Sequence, residues 1–258
     1  MQGEKLKGFE SEVLSPYAAL SKNAERENDI RKHPYRTEFQ RDRDRILHSK
    51  AFRRLEYKTQ VFMTQINDHL RTRLTHSLEV SQISRTIANQ LGLNEDLVEA
   101  IALGHDLGHS PFGHAGEGEL SKLLKEDGIG YFKHNVQSVK ILKFLETKYH
   151  YDGLELTIPV LEGILKHTSL PKKLPKYCDN LYTEKDHSVT LEGQVVAIVD
   201  EIAQITHDMD DYLRYNIIDL KKFMSHQLFG CIKKYYKDDY DYDLEELLDE
   251  IEDKNRKK

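Results

Sequence analysis

Four residues far apart in the chain, His76, His105, Asp106 and Asp200, are of the types that hold a divalent cation, and all four sit among apolar neighbours. Two imidazoles and two carboxylates suit a borderline ion such as Mn, Fe, Co, Ni or Zn, and suit Mg less well. Four protein ligands leave positions open for water and a phosphate oxygen, the two groups that meet in phosphoester hydrolysis. Taken singly, each residue has an ordinary explanation: a histidine satisfied in a core, or a carboxylate in a helix-pairing salt bridge. Jointly they favour a metal. An uncompensated Asp200 among Val196, Val199 and Ala203 would cost several kcal/mol.

The elements that must position these residues read as helices. Over residues 69–91, Leu70, Leu74, Leu78, Ile83, Ile87 and Leu91 recur at steps of about four. His76 shares a face with Val80, Ile83 and Ile87, since seven and eleven residues return nearly to the same helical angle, so it points inward. Gly92 ends this helix and Asn94 caps the next, with Glu95 and Asp96 in its first turn. Val98, Ile101, Ala102 and His105 form the inner face of that second helix, which is expected to run to Gly108. Adjacent helical residues differ by about 100°, so His105 and Asp106 can grip one ion only if it lies beside the helix, between their directions.

Further helices are expected to start near Thr37 and near His114, and over 131–148, 156–167 and from Thr190 to about Tyr215. In the last of these Val196, Val199, Ile202 and Ala203 are read as buried. Residues 168–189, with Pro171 and Pro175, read as a long loop. No segment alternates with period two. The fold class is therefore all-α, a bundle of pairwise-packed helices. The expected organisation is a polar, irregular N-terminal arm over 1–35, a catalytic domain over 36–220 and a short acidic helical extension over 221–258.

Composition narrows the classes of function. The chain is 38% hydrophobic and 32% charged, enough for a core, and no apolar run approaches the roughly 20 residues of a membrane-spanning helix. The N-terminus lacks an apolar leader, and Cys178 and Cys231 have no motif spacing, which fits a cytoplasmic protein with reduced thiols. The net charge is −6, but it is uneven: ten Lys/Arg and five Asp/Glu lie between Arg41 and Arg85, and ten acids and no base between Asp238 and Asp253. A basic front half suits an anionic substrate, and an ordinary solvated face would look the same. The acidic end argues against DNA binding there.

The spacing His76…His105–Asp106…Asp200 resembles the H…HD…D signature of HD-domain phosphohydrolases. Three longer stretches, Arg41–Phe62 (RDRDRILHSKAFRRLEYKTQVF), Arg71–Val80 (RTRLTHSLEV) and His105–Glu117 (HDLGHSPFGHAGE), resemble bacterial deoxyguanosinetriphosphate triphosphohydrolases. The likeness runs from about Leu14 to Leu220. It implies an HD-domain helical bundle that hydrolyses a deoxynucleoside triphosphate to deoxynucleoside and intact triphosphate, with water attacking the α-phosphorus. The catalytic pair of that family falls on His114 and Glu117. Three residues apart on one helix face, Glu117 could orient the His114 ring, which would pass a proton to the leaving oxygen; alternatively Glu117 only neutralises a helix start. The same resemblance places Arg54, Arg73, His109, His134 and Lys166 beside the nucleotide or its phosphates, and Gln60 and Asp208 at the sugar 3′-hydroxyl. His167, His187 and His207 are read as ordinary histidines.

Two features depart from the family pattern. A tyrosine usual four residues after the last metal ligand is replaced by Gln204, which offers no ring face to the sugar. Only about forty residues follow Leu220, which implies a more open pocket. Two other functions fit the same residues: a nucleotidase acting on monophosphates, and a nucleotide-binding regulatory paralogue with weak catalysis. Assembly with further copies of the chain and contact with nucleic acid follow from the resemblance alone, and no membrane association is expected.

Overall fold

The computed structural model describes residues 2–28, 30–58, 71–181 and 186–214, and a few positions between 226 and 234. Among the described residues there are nine α-helices and no β-strand, as the all-α reading requires. They are α1 (Gln2–Val13), α2 (Glu38–Leu47), α3 (Lys50–Arg54), α4 (Arg73–Leu91), α5 (Glu95–Gly104), α6 (Gly113–Glu126), α7 (His134–Lys140), α8 (Ile158–Lys166) and α9 (Leu191–Arg214). A turn of π-helix, Ile141–Leu145, prolongs α7. None of the helices is long and apolar enough to cross a membrane.

α5 is the hub. Leu97, Val98, Ala100, Ile101 and Ala102 are fully buried, so this short helix is apolar almost all round. It packs against α2, α4 and α8, and α8 packs in turn against α7. Burial of each large aliphatic side chain here contributes roughly 1.5–3 kcal/mol, more than the roughly 0–0.7 kcal/mol by which helix propensity distinguishes one ordinary residue from another.

Capping residues set the boundaries. Thr37 accepts from Gln40 N while the Gln40 side chain accepts from Thr37 N, a reciprocal cap on α2. Asn94 accepts from Leu97 N at the start of α5. Gly92 ends α4 in the left-handed region at φ 66°, where a side chain would be strained. Several elements differ from the periodicity. Helix α1 forms inside the segment read as irregular, because Glu and Lys are good helix formers even without an apolar stripe. α5 ends at Gly104 and not at Gly108, so the residues 105–108 form a turn. Leu78 and Ile202 are about half exposed, at 47% each.

The leading segment is fastened by buried charges. Arg26 pairs with Glu38 at 2.9 Å and with Asp42 at 2.6 Å, and Asp42 also accepts from Thr157 N at 2.7 Å. Glu192, at the start of α9, accepts from Ala19 N and Asn94 N at 2.9 and 3.0 Å. These bonds tie residues 19–42 to α5, α8 and α9. Cys178 is buried and Cys231 exposed, and neither is in a disulfide.

The chain divides into two compact units, Met1–Thr206 and His207–Lys258. Gln60 and nearly all of the acidic extension fall outside the described residues, and Asp208 and Tyr212 belong to the second unit.

Candidate metal centre and histidine cluster

Three elements of the first unit bring the four expected ligands together. α4 supplies His76 from its first turn, which is capped reciprocally by Thr72 and Thr75. The turn after α5 supplies His105 and Asp106. That turn is clamped onto α7: Ser138 Oγ donates to His105 O and accepts from Gly108 N, both at 2.8 Å. Gly108 has no room for a side chain, since a Cβ would strike the His134 carbonyl and the Ser138 amide. α9 supplies Asp200.

The ligand atoms of His76, His105 and Asp200 lie within 4.8 Å of one another. His76 Nε2 is 2.9 Å from Asp200 Oδ1 and 4.0 Å from Asp106 Oδ2. His105 Nε2 is 3.4 Å from Asp200 Oδ1 and 3.5 Å from Asp106 Oδ1. The other nitrogen of His105, Nδ1, donates to the Ala102 carbonyl at 2.7 Å, which fixes the ring with Nε2 toward the two carboxylates. That buried Nε2 has no hydrogen-bond partner among the described residues. An orphaned imidazole nitrogen flanked by two carboxylates, with its far side anchored, is the arrangement a divalent cation satisfies. The donor set therefore fits a metal.

Electrostatics agree. Burial opposes the charge on His105, but Asp106 and Asp200 outweigh it and push the imidazole up to about 9. Burial likewise opposes ionisation of Asp106 and Asp200, yet the His105 ring holds both well below the usual carboxylate range, helped by Arg73 at Asp106 and by His76 at Asp200. Such a cluster demands positive charge, and it demands it here.

A second group of histidines adjoins the first. His109 Nε2 contacts Asp106 Oδ1 at 3.2 Å, and its ring stacks on His134 with centroids 3.8 Å apart. His134 Nδ1 donates to Glu117 Oε2 at 2.6 Å. Burial disfavours the Glu117 charge, but that bond and the His134 ring hold its pKa down to about 2. Glu117 is thus bonded to His134, not to His114 as the three-residue spacing suggests. His114 stands exposed beside them, its ring 5.2 Å from His109 and 5.8 Å from His134. Partial burial, then the neighbouring His134 and Arg73 charges, lower its pKa from the ordinary imidazole value. His114 and Glu117 line a cleft of about 490 Å³ whose other walls include Lys122, Lys125 and Lys133.

The remaining expected residues divide. Arg73 is buried, with Nη1 2.7 Å from Asp106 Oδ2. Arg54 is exposed on α3. Lys166 has its ammonium buried against Glu162 at 2.9 Å, and Glu162 also accepts from Ser188 Oγ and Val189 N. Lys166 therefore secures the loop before α9. Asp208 follows Asp200 by eight residues on α9.

Two participants escaped the sequence reading. Lys58 Nζ donates to Leu107 O at 2.9 Å, and its own carbonyl accepts from Arg73 N, so it links α4 to the turn bearing Asp106. Burial, then Arg73, lowers its pKa to about 8. His167 is buried between His105 and His134. Its only signal was the place at the end of an apolar helix.

Comparison with known proteins places this geometry. Residues 73–205 match the family model described as HD domain. The chain is 52% identical over 222 residues to a deoxyguanosinetriphosphate triphosphohydrolase-like protein of Thiobacillus denitrificans, covering 84% of this chain and 58% of that protein. Proteins of the same name from Caldanaerobacter subterraneus and Wolinella succinogenes are 53% and 51% identical, over 81% and 76% of this chain and 56% and 54% of their own lengths. The chain thus spans a little over half the length of these relatives.

Proposed function

This chain belongs to the HD-domain family, and we propose that within it the protein is a metal-dependent phosphohydrolase of deoxynucleoside triphosphates, dGTP or several dNTPs, yielding deoxynucleoside and tripolyphosphate. The observation that carries the reading is the adjacency of two things: a buried cluster whose His105 Nε2 lacks a hydrogen-bond partner, and an exposed histidine, His114, that lines a lysine-rich cleft. The likeness to proteins named for triphosphohydrolase activity supports the substrate class.

His76, His105, Asp106 and Asp200 would hold the ion, which when bound supplies positive charge beside the phosphoryl oxygens. Mn, Mg, Fe, Co, Ni and Zn are all admissible, the first-row ions fitting the nitrogen donors better than Mg does. Arg73, locked by Asp106, keeps a second cation at the same place, and Lys122, Lys125 and Lys133 attract the polyphosphate. His114 accepts a proton from the attacking water as the new oxygen bond to the α-phosphorus forms. The bond to the 5′-oxygen breaks, and the same proton goes to that leaving oxygen. Glu117 holds His134, and His134 stacks on His109, so these three side chains back His114. Gln60 and Asp208 are assigned the 3′-hydroxyl and Arg54 the nucleotide side.

The test is product analysis. Each dNTP is incubated with the purified chain and Mn, and products are resolved by anion exchange. Tripolyphosphate is expected, abolished by chelation. Removal of a general acid–base group costs about 10²–10⁴ in rate, so His114→Gln should lose at least a hundredfold in turnover while keeping its metal. Orthophosphate from monophosphates, with triphosphates untouched, would make the protein a nucleotidase.

A further inference from the structure

Lys58 meets the site at two points. Its carbonyl accepts from Arg73 N, the first amide of α4, at 3.0 Å, and its ammonium donates to Leu107 O at 2.9 Å. Arg73 in turn donates from Nη1 to Asp106 Oδ2 at 2.7 Å, and Asp106 adjoins Leu107. These residues close a ring of hydrogen bonds that joins the start of α4 to the turn after α5. His76 lies three residues beyond Arg73 on the same face of α4, and His105 and Asp106 belong to the turn. The span of the ring thus sets the separation of the expected ligands.

The ring stands on a fixed base. Lys58 N donates to the carbonyl of the fully buried Leu55 at 3.2 Å. The helix before it, α3, is capped by Ser49, which accepts from Phe52 N at 3.0 Å, and by Glu146, which accepts from Ala51 N at 2.7 Å. On the other side, the carbonyls of the turn are each served: His105 by Ser138 Oγ, Asp106 by His109 N and Leu107 by Lys58. Leu107 is fully buried, so its carbonyl needs that donor. The ammonium is kept there against electrostatics. Burial, then the neighbouring Arg73 charge, lowers its pKa to about 8, and Asp106 only partly offsets them.

We propose that Lys58 is a positioning residue for the metal centre: by tying α4 to the turn it fixes Asp106 and Arg73 relative to His76, without touching ion or substrate. Partners one step removed from a metal are worth about 10–100-fold in affinity or activity. The sign of the effect separates this role from a plain charge effect. Deleting a nearby cation should, by electrostatics alone, tighten the binding of a divalent ion; deleting a positioning residue loosens it. The expected effect on turnover rests on the proposed function, and the expected effect on metal affinity does not.

Lys58→Met keeps most of the side chain's length and removes the donor. Mn(II) titration of the chelator-stripped full chain, followed by calorimetry, should show affinity about 10–100-fold weaker than wild type. With Mn saturating, kcat for dGTP should fall by a similar factor while KM changes little. Affinity equal to or tighter than wild type would overturn the proposal. So would a raised KM at unchanged kcat, which would make Lys58 a contact of the substrate. If circular dichroism shows that Lys58→Met does not fold, Lys58→Gln, whose shorter amide cannot reach Leu107, is measured in the same way. Loss of the fold in both would show a packing role and overturn the proposal. A wild-type chain that leaves every dNTP intact would sink the proposed function, while the Mn comparison would still judge Lys58.

Discussion

Asp106 is the residue on which the site converges. It receives Arg73 at 2.7 Å and His109 at 3.2 Å, and lies 3.5 Å from His105. An Asp106→Asn chain keeps the shape and loses the charge. It should bind no metal, and it leaves the buried Arg73 guanidinium without its counter-ion, a loss of about 3–5 kcal/mol for a broken buried pair. Urea unfolding in chelator, beside a metal assay, measures both effects; wild-type stability in the variant would show that Arg73 does not depend on this partner. The spacing of His76, His105, Asp106 and Asp200 was legible because polar residues intrude on apolar helical faces. His167 was not, because a histidine ending a buried apolar helix gives no sign of the histidine cluster it joins. The bond from His134 to Glu117 was hidden for a related reason: helical spacing pairs Glu117 with His114, while the true partner comes from another helix.

At the scale of elements, the turn between α5 and α6 decides whether the ligands meet. It has no helical ladder of its own and takes its shape from Ser138, Lys58 and the absence of a side chain at Gly108. Gly108→Ala must push the turn off α7. Overpacking of this kind costs about 1–3 kcal/mol, and the displacement should also weaken metal binding at least tenfold, measured by thermal unfolding and by titration with Mn. A variant with unchanged melting and unchanged affinity would show that the turn yields freely. Caps and glycines made most helix boundaries readable, as at Thr37, Asn94 and Gly92. The early end of α5 was not readable, since its cause is the clamp from α7. Nor was α1, which has no apolar stripe to announce it.

At the scale of the whole molecule, folding and metal binding are linked. The ligands come from α4, the turn after α5 and α9, so the first unit must be assembled before the site exists. An ion that binds only the folded chain stabilises it by about 2.7 kcal/mol at a hundred times its dissociation constant. Unfolding free energies from denaturant titrations with and without Mn should differ by that amount, and equal values would mean that the four groups hold no ion. The reading of the substrate draws on relatives of which this chain spans a little over half, and on a cleft that carries three lysines.

The most direct test of the account follows the oxygen. Turnover of dGTP in water enriched in heavy oxygen, with Mn present, yields products that mass spectrometry can separate. Attack at the α-phosphorus with departure of the 5′-oxygen predicts one heavy oxygen in tripolyphosphate and none in deoxyguanosine. Heavy oxygen in deoxyguanosine, or its appearance in orthophosphate or pyrophosphate instead, would contradict it.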